Sequence, residues 1–222
     1  MRGNTTNALG NPGSGRRRRP SLAPSAGDVS DRILSAAEAC FRDAGYERVS
    51  IREIAERAGV SKSLVLYHFE SKEHVFAELQ LRIYRRLAKS VSESARASEG
   101  SAHERARVAL ESLMAAVREG NDLAAHAMLS ARALTNPGSA PHVRRMRHEL
   151  RELLGGTMRE IFGNDAERLP LSLEAAGDLL WAALTGLGLQ SVIDASPSEL
   201  ERGFDSLRTI VALAFSARPE EA

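Results

Sequence analysis

Four polar or aromatic side chains lie close together in the segment between residues 62 and 68. Lys62, Ser63, Tyr67 and His68 offer an ammonium group, two hydroxyls and an imidazole. All of these groups can donate hydrogen bonds to phosphate oxygens or to the edges of nucleic-acid bases. Short polar and aromatic groups near the start of a helix suit the major groove of DNA. The chemistry predicted for this segment is therefore DNA binding.

Two short helices and a tight turn are predicted to position these side chains. Ser50, followed three residues later by Glu53, predicts a capping box at the start of the first helix. Gly59 permits the left-handed backbone that ends this helix. Ser61 is a good N-cap for a second helix, which is predicted to run to about His68. Two short helices joined in this way form a helix-turn-helix.

The chain from Asp28 onward is predicted to be helical throughout. Apolar residues recur at helical spacing, strand-like alternation is absent, and Ala, Leu, Arg and Glu dominate. We expect an all-α fold with a three-helix DNA-binding head and a larger C-terminal helical domain. The predicted division is a disordered basic arm at 1–27, a DNA-binding domain at 28–88 with its motif at about 51–70, and a ligand-binding and dimerisation domain at 89–222. The later helices are expected at about 102–118, 122–134, 141–162, 173–192 and 197–217.

The N-terminal region resembles the TetR family of bacterial transcriptional regulators, from about Ser30 to Leu79. Family members often have Gly or Ala where this chain has Ser63, so the DNA sequence that the protein recognises cannot be transferred from the family. The matching residues, in order, are Ile33-Leu34, Ala36-Ala37, Phe41, Gly45-Tyr46, Ser50-Ile51-Arg52-Glu53-Ile54-Ala55, Ala58-Gly59-Val60-Ser61-Lys62-Ser63, Tyr67-His68-Phe69 and Ser71-Lys72-Glu73.

The resemblance implies a set of DNA contacts. Ser50 would reach the DNA backbone, and Arg52 would reach either the backbone or a base edge. Lys62 and Ser63 would enter the major groove. In the alternative interpretation the serines only cap helices and Tyr67 packs against its neighbours. The predicted DNA-binding residues are Ser50, Arg52, Ser61, Lys62, Ser63, Tyr67, His68 and Lys72, of which the last three are assigned to phosphates.

The last two predicted helices are rich in apolar residues. The helix at 173–192 is apolar nearly all round, and the final helix has a 4-3-4-3 apolar seam. In the TetR family the last two helices usually form a four-helix bundle across the dimer axis, and the resemblance implies the same homodimer here. The alternative is a helix pair inside a monomer core. The predicted dimer interface consists of Leu180, Leu184, Leu187, Leu200, Phe204, Leu207 and Val211.

The resemblance to the TetR family, which in the larger domain is one of layout only, implies an effector pocket. Its predicted wall residues are Tyr84, Met114, His126, Met128 and Trp181. Soft methionine and aromatic walls suit an apolar ligand, although each of these residues can equally be plain core filling.

The basic charge is concentrated at the N-terminus. The net charge is +1, but residues 1–27 hold five arginines and no acid, so the remainder sums to −4. Arg16 to Arg19 can contact DNA phosphates or a minor groove, or can form part of a solvated tail. An export signal is not expected, because no apolar stretch follows these arginines.

The predicted function is a transcriptional regulator, a repressor that a small apolar effector releases from a palindromic operator. An enzyme is not expected, because the sequence lacks a nucleophile elbow, a Walker loop, a His-Glu-x-x-His motif and a metal-spaced cluster. The third interpretation is a helical adaptor that does not bind DNA.

The single cysteine, Cys40, is expected to be a buried thiol in a cytoplasmic protein. No cofactor or metal is predicted. A membrane partner is not predicted because no apolar run is long enough to span a bilayer.

Overall fold

The structure is a computed structural model that describes residues 26–119, 122–168, 171–193 and 197–216. The predicted arm at 1–27 lies outside these ranges, apart from its last two residues, which belong to the first helix. The all-α prediction is confirmed for the described ranges, which contain no strand. Nor does any helix in them have the length and apolar character needed to cross a membrane. The helices are α1 (Ala26–Ala44), α2 (Ile51–Ala58), α3 (Lys62–His68), α4 (Lys72–Arg96), α5 (Ala102–Glu119), α6 (Asp122–Thr135), α7 (Ala140–Phe162), α8 (Leu173–Ile193) and α9 (Pro197–Ser216), with a short 3-10 turn over Gly163–Arg168.

The helix-turn-helix forms with the predicted caps. The Ser50 hydroxyl accepts a hydrogen bond from the Glu53 backbone N–H at 3.2 Å, and the Glu53 carboxylate accepts one from the Ser50 N–H at 2.7 Å. Gly59 has a left-handed backbone with φ of 65°. The Ser61 hydroxyl accepts from the Leu64 N–H at 3.1 Å. These local bonds satisfy backbone donors that a helix start leaves unpaired.

The head, which we define as α1–α3 with the first turns of α4, is built around one apolar core. Ile33, Ile54 and Val65 each have no exposed surface. Cys40 is buried in the same core as a free thiol, as expected. The core continues without interruption into Leu129 and other residues of α6 and α7. The head and the body, which comprises the rest of α4 and α5–α9, are therefore packed together rather than joined by a linker.

Helix α4 is the central element of the fold. It packs along α7 and α5, and it also contacts α1 and α6. At its head end the Arg82 guanidinium donates to the Asp31 carbonyl at 3.2 Å and pairs with the Glu38 carboxylate at 2.7 Å. Helices α8 and α9 complete the body, with α8 against α6 and α7 and α9 against α5.

The left-handed residue at the end of α2 generates the first testable prediction. A Cβ at Gly59 would be forced into a conformation that costs an L-residue roughly 1–2 kcal/mol. Gly59→Ala should lower the free energy of unfolding, measured with urea, by about that amount. Gly156→Ala is the matched control, since Gly156 lies inside α7 with no atom within 4 Å of an added Cβ. It should be neutral or stabilise by up to about 1 kcal/mol. Equal effects at the two positions would contradict this account of the turn.

Candidate DNA-binding surface and body cavity

The outer face of α3 carries the predicted groove-binding side chains. Val65 and Phe69 point into the head core and are 0% and 4% exposed. On the opposite side Lys62 and Ser63 are exposed, and Tyr67 is 83% exposed. The four-residue spacing between Ser63 and Tyr67 places them one helical turn apart. The structure therefore brings these three side chains together on one accessible surface.

Leu66 is a member of this surface that the sequence analysis missed. It is 40% exposed, although the rest of the head core is well buried. It lies one turn after Lys62, so the two side chains share a face. The sequence did carry a signal for its exposure. Leu64-Val65-Leu66 is a run of three apolar residues, and a short helix can bury only two of them. An exposed aliphatic side chain at this place has the chemistry to contact a thymine methyl group.

The predicted contacts at the start of α2 are already engaged within the protein. The Ser50 hydroxyl donates to the Glu53 carboxylate at 2.7 Å, and these Ser50 hydrogen bonds lower the pKa of Glu53. Arg52 is exposed and pairs with Glu56 at 2.8 Å. An exposed ion pair of this kind is weak enough to exchange for a phosphate.

Lys72 has a structural role that sequence reasoning did not find. Its ammonium group donates to the backbone carbonyls of Tyr46 and Val49, each at 3.0 Å, and lies 3.5 Å from that of Glu47. It also lies 4.3 Å from the centre of the Tyr46 ring. Lys72 thus fastens the start of α4 to the loop before α2. Its ammonium donors face carbonyls of the chain, so a phosphate contact would have to replace at least one of these bonds.

The two remaining predicted contacts lie at the ends of α3. The Ser61 hydroxyl is 2.9 Å from that of Ser63, in addition to capping the helix. His68 is half-buried, and its ring lies edge-on to Tyr67 with centroids 5.4 Å apart. Both residues border the exposed face of α3, but their side chains are less accessible than that of Tyr67.

The body encloses a cavity of about 450 Å³ between α4, α5, α7, α8 and α9. Its walls are aliphatic and aromatic, and no charged side chain is among the described residues that line it. Leu179 and Ile210 line the cavity and are also 59% and 60% exposed, which places them at its mouth. A cavity of this size and character suits an apolar small molecule.

The predicted pocket residues divide into two groups. Tyr84 and Trp181 line the cavity. Met114, His126 and Met128 are not among its wall residues: Met114 and His126 are buried elsewhere, and Met128 is 49% exposed. The reason is that helical periodicity identifies an inward face but not which part of that face borders the cavity.

His126 supports the cavity from outside. Its ring meets the Trp181 ring edge-on, with centroids 4.7 Å apart, and the Tyr84 ring at 5.9 Å. Burial, together with the charge of Arg147, lowers the pKa of His126 to about 4. The imidazole is therefore neutral at physiological pH, and it packs as an aromatic spacer behind the two wall residues.

The predicted dimer interface requires a correction. Phe204, Leu184 and Leu207 are 0%, 2% and 9% exposed within a single chain, where they pack against Leu110 and Met114 of α5. Side chains without accessible surface cannot reach a second subunit. The 4-3-4-3 seam of α9 is thus the inner face of the body. Leu180, Leu187, Leu200 and Val211 are partly buried against the same cluster.

The outer side of α8 and α9 carries a different set of apolar side chains. On α8 they follow 3-4 spacing on the surface, which marks a single stripe. Ile193 is 70% exposed, and Leu213 on α9 is 63% exposed. We call this surface the outer apolar stripe; it consists of Leu179, Ala182, Leu189, Ile193, Ile210 and Leu213.

Comparison with known proteins places the head in a described family. Residues 33–79 match the family of bacterial regulatory proteins, tetR family. The transcriptional repressor AcnR of Corynebacterium efficiens is 37% identical over 62 residues, which cover 28% of this chain and 33% of AcnR. The transcriptional activator FasR of Mycolicibacterium smegmatis is 35% identical over 79 residues, or 36% of each protein. The chain thus spans about a third of the length of these relatives.

A solved structure extends the likeness of fold to the body. Thermus thermophilus FadR, described as a transcriptional repressor in complex with lauroyl-CoA, superposes with a TM-score of 0.65. The alignment covers 87% of this chain and 98% of the FadR chain at 20% identity. Residues 33–79, which contain the capped helix-turn-helix with its exposed outer face, thus match the tetR family of bacterial regulatory proteins, and the likeness of the rest of the chain is one of fold alone.

Proposed function

We propose that the protein is a sequence-specific DNA-binding transcriptional repressor that acts as a homodimer and is released from its operator by a small apolar effector. The observation that carries this proposal is the exposed face of α3, where Tyr67 is 83% exposed on a helix held by Ser61 and Gly59. An aromatic residue this accessible, beside Lys62 and Ser63, keeps most of its surface in solvent, and its ring meets that of His68 only edge-on. It is suited to a partner outside the chain.

The division of labour among these side chains follows from their chemistry. The Tyr67 hydroxyl is a donor suited to a phosphate oxygen, which positions the head without reading sequence. Lys62, Ser63 and Leu66 lie on the same face and reach base edges, which distinguish sequences. The main role of Lys72 is to stabilise the head through its hydrogen bonds to backbone carbonyls, so any contribution to phosphate binding is secondary.

Dimerisation is supported by the outer apolar stripe. Large side chains such as Leu179, Leu189 and Ile193 on α8 are exposed in one chain, and a contiguous apolar surface of this kind marks an interaction site. The spacing matches a helix–helix seam. A second copy covering this stripe would form a four-helix arrangement from two pairs of α8 and α9. Such a dimer presents two heads to the two halves of a palindromic operator.

The effector is proposed to be an amphipathic molecule with a long apolar chain. Among the described residues, no charged side chain lines the cavity. The cavity therefore offers nothing to offset the desolvation of an ionic group, but it would accept an aliphatic chain. The FadR structure described with lauroyl-CoA has the same fold and supports an acyl chain as the ligand class.

Communication between the cavity and the DNA is assigned to α4. Tyr84, Leu87 and Val91 line the cavity, and the same helix begins at Lys72 in the head. In this proposal α4 has two arrangements, one that binds DNA and one that does not. A ligand shifts the equilibrium between them only as far as it binds one arrangement more tightly than the other. A coupling of about 1–3 kcal/mol is typical and would weaken DNA binding roughly 5- to 150-fold.

The DNA-binding face can be tested on duplexes selected from a random pool. Tyr67→Phe should weaken binding to all sequences similarly, by roughly 1.5–3 kcal/mol for a lost hydrogen bond to a charged group. Lys62→Ala should change the preference among bases at a cost of roughly 1–3 kcal/mol. Lys89→Ala is the control, because Lys89 is exposed on α4 within the body. If the wild-type protein binds no duplex at low salt, the DNA-binding proposal is refuted and the adaptor interpretation is favoured.

The outer apolar stripe predicts a dimer that a single charge disrupts. Light scattering should give the wild type about twice the chain mass of 24.0 kDa. Leu189→Glu places a carboxylate within the proposed interface and should give monomers. Leu134→Glu is the matched control, since Leu134 is 87% exposed on α6 and should leave the dimer intact. A wild type that is monomeric at micromolar concentration would refute this assignment.

The cavity predicts binding of an acyl chain. Lauroyl-CoA should raise the melting temperature of the wild type and weaken its DNA binding, while free CoA should do neither because it lacks the apolar chain. Ala183→Phe fills the cavity wall and should weaken lauroyl-CoA binding at least tenfold, whereas Ala115→Phe, at an exposed position on α5, should not. If lauroyl-CoA acts equally on both variants, its site is not this cavity.

A further inference from the structure

Three metal-ligating side chains converge where the head meets the N-terminal end of α7. Glu70 lies in the turn before α4, His74 in the first turn of α4, and His142 in the first turn of α7. One ligand atom from each lies within 4.8 Å of the others. The two imidazole side chains are each only 14% exposed, whereas that of Glu70 is 79% exposed. The cluster is therefore largely shielded but open to solvent on the carboxylate side.

The contacts within the cluster show how its candidate ligand atoms are engaged. The Glu70 backbone N–H donates to His74 Nδ1 at 3.2 Å, so the one lone pair of this nitrogen points at Glu70 and would bind a metal by replacing that hydrogen bond. The rings of His74 and His142 stack with centroids 4.4 Å apart, and His142 Nε2 lies 3.6 Å from the Glu70 carboxylate. An unprotonated imidazole nitrogen beside a second imidazole and a carboxylate is the donor set of many zinc sites.

The other nitrogen of His74 has a suitable supporting partner. His74 Nε2 lies 3.8 Å from the Glu78 carboxylate, which is held in place by Arg145 at 3.4 Å. In zinc sites a carboxylate commonly faces the nitrogen of a ligating histidine that does not bind the metal, and it fixes the orientation of the ring. Glu78 is placed to do this for a metal bound at His74 Nδ1.

We propose that Glu70, His74 and His142 bind a divalent transition metal ion of the Zn²⁺ class, with water completing a tetrahedron. Tetrahedral ligands at zinc distances of about 2.0–2.1 Å lie roughly 3.3–3.4 Å apart. The cluster must therefore contract by about 1.5 Å at most, through rotation of Glu70 and of the stacked rings. Two imidazoles favour zinc and its neighbours over Mg²⁺ or Ca²⁺, which prefer oxygen ligands.

Metal binding at this place would fasten the head to the body. Glu70 belongs to the turn that ends the recognition helix, and His142 belongs to α7, which packs along α4. The ion would join these elements through coordinate bonds in addition to their apolar contact. The site lies apart from the cavity, none of whose wall residues belongs to it.

The test is a zinc titration of the full-length, tag-free protein in competition with a chromogenic chelator. The wild type should bind one Zn²⁺ per chain at this site, and Zn²⁺ should raise its melting temperature. His142→Asn and Glu70→Gln should each weaken Zn²⁺ binding at least tenfold and abolish the melting shift. The matched control is His148→Asn, an exposed histidine on α7 outside the cluster, which should bind as the wild type does.

Two results would overturn the site. One is wild-type Zn²⁺ binding no tighter than that of Glu70→Gln; the other is equal weakening by His148→Asn. Glu70→Gln keeps the test decisive if His142→Asn fails to fold, because Glu70 is exposed in a turn. Cobalt absorption adds a readout, since Co²⁺ in a tetrahedral site gives visible bands that an octahedral aquo ion lacks. Neither measurement uses DNA, so failure of the metal site is distinguishable from failure of the proposed regulatory function.

Discussion

The burial of α4 is the constraint on which the rest of the structure depends. Its apolar side chains enter the head core through Val75 and Phe76, and they enter the body clusters through Val91 and Ala95. Helices α1, α5, α6 and α7 pack directly on α4, and α8 and α9 pack on α6, α7 and α5. Because protein interiors are close-packed, α4 cannot change its position without a rearrangement in both regions. This packing gives one helix access to both the DNA-binding face and the cavity.

Polar contacts reinforce this packing at the head end. Lys72 fastens α4 to the loop before α2, and Arg82 joins it to α1 through the Asp31 carbonyl and Glu38. Arg132 of α6 pairs with Glu47 in that same loop. Lys72, Arg82 and Glu38 are only partly exposed, so their interactions are stronger than those of fully solvated groups. The head is thereby held as a unit, and α3 is presented in a fixed orientation relative to α4.

The local features of the head were predictable because short-range chemistry determines them. Ser50 with Glu53, Gly59 and Ser61 act on residues within four positions, and each forms the bond or backbone conformation that its type favours.

Contacts between residues far apart in the sequence were not predictable. The seam of α9 looked the same whether it faced α5 or a second subunit, so Phe204 was assigned to the wrong partner. His74 and His142 are far apart in sequence, and only the packing of α4 on α7 brings them together. The cavity likewise depends on five helices that no single periodicity relates.

The length of α4 converts a small rotation near the cavity into a larger displacement at the head. Tyr84, at the edge of the cavity, is twelve residues from Lys72, a distance of about 18 Å along the axis at 1.5 Å per residue. A tilt of about 5° around the Tyr84 end would displace the Lys72 end by roughly 1.6 Å. In the proposed dimer the symmetry axis would turn the two displacements in opposite directions, so the spacing between the heads would change by up to about twice that amount. A small angular change at the cavity would thus become a misfit to the fixed pitch of a DNA duplex.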